Sequence, residues 1–134
     1  RSIYTKVTIM EPPKFLLTFN QPKPKIPTGR RDITSTPIQA LTLLNDPFVL
    51  QQSRVWGKRL ATAEGGDVRQ RIRDVFQVAF ARGPSSTELS RWEQAVHDLA
   101  RLHAVSDGKL LSSEKVWADV AHAIFNTKEF IYVK

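Results

Sequence analysis

The sequence predicts an all-α fold: an irregular bundle of about five short helices preceded by an extended, proline-rich basic arm. Three observations carry this. Helix-start devices recur at Thr36-Pro37, Asp46-Pro47, Asp67 and Ser85. Apolar residues follow each of them at three- and four-residue spacing. Five of the eight prolines (Pro12, Pro13, Pro22, Pro24, Pro27) crowd into sixteen residues near the N-terminus.

Each of those prolines removes a backbone donor and pushes its predecessor toward extended geometry, so residues 1–35 read as an arm without helix. Ile3, Tyr4, Val7, Ile9, Phe15, Leu16 and Phe19 run through it. That apolar content fits an arm lying on the domain better than a disordered tail.

From Thr36 the texture changes. A threonine N-cap, proline at the first helical position and Gln39 to close a capping box are together worth about 1 kcal/mol or more. The helix they open carries Ile38, Leu41 and Leu44, and Asn45-Asp46-Pro47 stops it. Asp46-Pro47 starts a second helix with Phe48, Val49, Val55, Trp56 and Leu60, ending at Gly65-Gly66. Asp67 and Gln70 open a third, the most clearly amphipathic, with Val68, Ile72, Val75, Phe76, Ala79 and Phe80. Gly83-Pro84 ends it. Ser85 and Glu88 make the next capping box, ahead of Leu89, Trp92, Val96 and Leu99. Asp107-Gly108 marks a turn. The last helix starts at about Ser112 or Ser113 and carries Val116, Trp117, Val120, Ala121, Ile124 and Phe125, with Asn126 as its exit. The apolar tail Phe130 to Val133 is expected to fold back on the core. The aromatic rings are core by default, since burying one contributes roughly 2 to 3 kcal/mol.

At 134 residues the chain fits one domain, 1–134, divided into the arm (1–35) and the bundle (36–134). No apolar run nears the roughly 20 residues that would cross a bilayer, so no membrane insertion is expected. A starting Met is absent, and a fragment of a larger protein is expected. Absence of cysteine excludes disulfides, thiolate metal sites and Cys-x-x-Cys-His haem attachment within these residues. The net charge of +7 is concentrated in the arm, where Arg1, Lys6, Lys14, Lys23, Lys25, Arg30 and Arg31 face only Glu11 and Asp32. Such a strand could meet an acidic partner or polyanion, though a solvated surface explains it as well.

Residues 30–47, RRDITSTPIQALTLLNDP, resemble the signature of a planctomycete family known as domain of unknown function 1553. The shared elements are the arginine pair, Thr36-Pro37, Gln39-Ala40-Leu41 and Leu44-Asn45-Asp46-Pro47. Similarity extends to Arg1-Ser2-Ile3-Tyr4-Thr5, Leu17-Thr18-Phe19, Pro22, Arg82, Pro84, Glu88, Leu89, Trp117, Asn126, Glu129 and Phe130. Two departures stand out: Asn20 replaces an aspartate common in the family, and Pro27 or Thr28 stands where a cysteine is frequent. The resemblance implies the C-terminal part of a large exported protein of the cell envelope, with a cytochrome c-like haem segment elsewhere in the parent. It also suggests redox or glycan-degrading company, and carries over no activity residue by residue.

For chemistry, Arg30 and Arg31 are the first candidates for binding an anion or partner, beside a helix start with free amide donors. Pairing with Asp46, or capping of helix carbonyls, is the favoured alternative for them. Asn45 and Asp46 read first as corner residues and second as ligands. His97, His103 and His122 lack the i, i+4 spacing of a helical zinc site and read as surface histidines, so no metal and no cofactor is expected in this segment. Arg69, Arg71 and Arg73 would fan around a solvated helix face. No nucleophile elbow, phosphate loop or paired-carboxylate signature is present. The expectation is therefore a non-catalytic helical interaction or scaffolding module whose partners are other domains of its parent. Polyanion binding by the arm and an accessory role in an envelope enzyme are the alternatives.

Overall fold

A computed structural model describes residues 13–22, 27, 29–30, 34 and 36–131. Among them there are eight helices and no strand: α1 (Lys14–Thr18), α2 (Pro37–Asn45), α3 (Pro47–Thr62), α4 (Val68–Phe80), α5 (Ser86–Leu102), α6 (Asp107–Leu110), α7 (Glu114–Phe125) and α8 (Lys128–Ile131). The all-α class is as expected, and the five longer helices are α2, α3, α4, α5 and α7. The chain forms two compact units, Arg1–Asp46 and Pro47–Lys134.

In the first unit, α1 corrects the reading of the arm as free of helix. Proline constrains its own φ and its predecessor, and leaves the residues after it free. The proline-free run after Pro13 therefore winds one turn, with Leu17 N–H donating to the Pro13 carbonyl at 3.1 Å. The turn ends in a Schellman motif: Asn20 sits at φ 56°, its N–H donates to Leu17 O, and Gln21 N–H donates to Leu16 O. Asparagine tolerates this left-handed geometry. Its Nδ2 also donates to Thr34 Oγ1 at 2.6 Å.

At the start of α2 the capping box closes as expected. Thr36 Oγ1 accepts from Gln39 N–H, and Gln39 Oε1 accepts from Thr36 N–H. Gln39 has a second task that the capping pattern does not announce. Its buried amide donates to Thr18 O and to Thr34 Oγ1, both at 3.0 Å, tying the end of α1 to the start of α2. The apolar stripe of α2 is not core: Ile38, Leu41 and Leu44 are 67%, 57% and 46% exposed.

In the second unit α7 is the central rod. Val116, Trp117, Val120, Ala121 and Ile124 are all buried, surrounded by Leu60 of α3, Ile72, Val75 and Phe76 of α4, Leu89, Val96 and Ala100 of α5, and Leu110 of α6. The expected faces of α4 and α5 point into this core, whereas Phe48 and Val55 of α3 are exposed. The α3–α7 packing depends on Gly57. A Cβ there would lie 2.8 Å from the Trp117 carbonyl carbon and closer still to the Ala118 backbone.

Asp67, Ser85 and Ser113 cap α4, α5 and α7 as their sequence positions suggest. The Asp107-Gly108 turn is instead the short helix α6. The described part of the C-terminal tail forms α8, with the Phe130 ring 5.1 Å from that of Phe125; Val133 lies outside the described residues.

Arg69 and Arg73 are exposed as expected, but Arg71 does not belong to a solvated fan. It is 4% exposed. Its guanidinium donates to the carbonyls of Leu60, Ala63 (2.7 Å), Gly65 (3.1 Å) and Leu111 (3.2 Å). The carbonyls left open at the end of α3 are thus satisfied from inside the protein.

Candidate functional site

Within the second unit, a cleft of about 340 Å³ opens between α3, α7 and the C-terminal end of α5. Its shape follows from helix periodicity. Leu50, Ser53 and Arg54 occupy one face of α3, while Lys115, Ala118, Asp119 and His122 occupy one face of α7, with Glu114 beside them. His103, the C-cap of α5, completes the lining.

The imidazole of His103 and the carboxylate of Asp119 are in polar contact at the cleft, Nε2 to Oδ2 at 2.6 Å. A carboxylate on one ring nitrogen fixes the imidazole's orientation and leaves Nδ1 as the second polar atom. Ser53 is buried and its Oγ donates back to the Val49 carbonyl at 2.9 Å, so its hydroxyl proton is already committed within α3. Arg54 and Lys115 are exposed, and neither side chain makes an ion pair or hydrogen bond among the described residues. The cleft thus combines a small, partly apolar floor with two cations, two carboxylates and two imidazoles. No group of three or more His, Asp or Glu able to hold a metal occurs among the described residues.

The histidines read as surface residues, and His103 and His122 are half-buried; α5 and α7 bring these two to one cleft. His97 stands apart, 4.0 Å from the carboxylate of Asp107. No linear spacing links His103, Asp119 and His122 as a motif. The i, i+3 relation of Asp119 and His122 was the only signal available.

The residues singled out in the sequence lie elsewhere. Arg30 is exposed and Arg31 falls outside the described residues. Asn45 ends α2 and its Nδ2 donates to its own helix, at Leu41 O, 3.0 Å away. Asp46 is the C-cap of α2, its backbone N–H donating to Thr42 O at 2.8 Å, and it directly precedes Pro47.

A second charged cluster joins the start of α5 to α8. Arg82 donates through Nε and Nη2 to Glu129, at 2.7 and 2.6 Å, and through both Nη atoms to Glu88, at 3.0 and 2.8 Å. Its guanidinium also lies against the Phe76 and Phe80 rings. Glu129, then Glu88, push the Arg82 pKa up from its ordinary value. The Arg82 guanidinium, helped by the Ser85 N–H and hydroxyl, holds the Glu88 carboxyl down at about 2. Every donor here is engaged by protein, so the cluster is an architectural clamp.

No curated protein and no solved structure matches this chain. A family model described as PSD1, protein of unknown function (DUF1553), matches residues 1–96, from the N-terminal segment through most of α5, and the chain belongs to that family.

Proposed function

We propose that the chain is a non-catalytic helical interaction module that docks onto other parts of a larger parent protein through the apolar face of α2. The observation that supports this is the exposure of Ile38, Leu41 and Leu44 on one helix, within the segment that most resembles the family's signature. Burying three such side chains at an interface would contribute several kcal/mol, at roughly 1.5 to 3 kcal/mol each, and leaving them in water forgoes that. On the family resemblance, the parent is an exported protein of the planctomycete cell envelope, and any haem belongs to another part of it.

Carbene footprinting of the 134-residue chain and of the full-length parent tests the proposal. Labelling at Ile38, Leu41 and Leu44 should fall severalfold in the parent, and Leu41→Ser should restore it at Ile38 and Leu44 without changing the helicity of the isolated chain. Equal labelling in the two proteins would count against docking through α2.

A further inference from the structure

We propose that the cleft between α3 and α7 is a binding site for a small organic anion, a carboxylate or phosphate carried on an apolar body. Arg54 and Lys115 reach the same cleft from different helices, and neither has a protein partner among the described residues. Two acidic groups share the lining, and neither pairs with these cations: Asp119 contacts His103 at 2.6 Å, and Glu114, in the first turn of α7, makes no ion pair among the described residues. The cations are therefore available to an incoming anion, and charge-assisted hydrogen bonds to carboxylate or phosphate are the strongest they can form.

The rest of the lining sets the ligand's size and character. Leu50 and Ala118 are half-buried and offer apolar contact beside the cations. A volume of about 340 Å³ is at the small end of ligand sites, enough for a single ring or short chain. The Asp119 contact orients the His103 ring, and His122 adds a second imidazole at the same wall. This arrangement differs from a general basic surface. The exposed Lys58, one turn along α3 from Arg54, does not line the cleft.

NMR titration of the full 134-residue chain at low ionic strength tests the site, with benzoate, its neutral isostere benzamide, and inorganic phosphate as probes. Benzoate should shift the resonances of His103, His122 and Lys115 saturably, and benzamide should not. Phosphate should shift the same residues more weakly, for want of an apolar body. Arg54→Gln and Lys115→Gln should each weaken benzoate binding about tenfold, the loss expected for one charge-assisted bond. Lys58→Gln should leave it unchanged. Equal responses to benzoate and benzamide would overturn the proposal, as would equal weakening by Lys58→Gln or shifts spread over all exposed lysines and arginines. Both cleft substitutions replace exposed, unbonded side chains, and the comparison of benzoate with benzamide on the unaltered chain needs no variant.

Discussion

Arg71 and Trp117 donate to the same carbonyl. Trp117 Nε1 lies 3.1 Å and Arg71 Nη1 3.2 Å from Leu111 O, and the guanidinium carbon stands 5.7 Å from the indole centroid. One acceptor thereby fixes the loop before α7 against both the central rod and the end of α3. The remaining Arg71 bonds, to Leu60, Ala63 and Gly65, make this buried cation the cap of α3.

Arg71→Met should therefore destabilise the chain by about 3 kcal/mol or more, because several inward-facing carbonyls lose their donor together. Arg71→Lys should recover at most half of that, since an ammonium lacks the fork that reaches carbonyls in two directions. Urea denaturation of the two variants checks both statements. A lysine variant as stable as the parent chain would show that charge, and not the fork, is what matters.

Gly57→Ala poses two effects of opposite sign. Helix propensity alone would favour alanine by about 1 kcal/mol. Against that, the added Cβ would run into the backbone of Trp117 and Ala118, which cannot rotate away as a side chain could. Overpacking of this kind costs roughly 1 to 3 kcal/mol, and the upper end is expected where backbone is the obstacle. A lowered denaturation midpoint is the outcome that fits; a raised one would mean that α3 and α7 can separate at little expense.

The clamp at Arg82 gives a pH signature. The Glu88 carboxyl titrates near 4.5 when free and at about 2 in the fold. Its folded value is the lower one, so its contribution is complete above about 4.5 and disappears as the pH falls toward 2. Exposure of both partners to water keeps that contribution modest. Glu88→Gln should lower stability at pH 7 and flatten the dependence between pH 4.5 and 2, as read by thermal melts across that range. A variant whose pH profile parallels that of the unaltered chain would assign the acid sensitivity to other carboxylates.

What could be read from the sequence was local. Thr36-Pro37-Ile38-Gln39 and Ser85 to Glu88 satisfy their own backbone within four residues, so their pattern survives into the fold unchanged. The faces of α4, α5 and α7 also follow directly from spacing, because each buries one continuous stripe. Spacing could not tell which stripes are buried, and Ile38, Leu41 and Leu44 are exposed. Nor could it place Arg71, whose carbonyl partners lie up to forty residues away. The cleft was hidden for the same reason: Arg54, His103 and Lys115 meet only because α3 and α5 both pack on α7.

The end of α5 supplies the last test. Val105 N–H donates to Ala100 O at 2.8 Å and Ala104 N–H to Arg101 O at 3.1 Å, a Schellman motif with Ala104 at φ 52°. Glycine is the usual residue at that position, since a Cβ in left-handed geometry costs about 1 to 2 kcal/mol. Ala104→Gly removes this strain and adds about 0.4 to 1 kcal/mol of unfolded-chain entropy, so a net gain of roughly 0.5 to 1 kcal/mol is expected. Ala123→Gly, on an exposed position inside α7, should instead lose about 1 kcal/mol. Opposite shifts in melting temperature for the same chemical change would show that backbone geometry decides the sign. Loss of stability in both variants would mean that Ala104 is not held in the left-handed conformation.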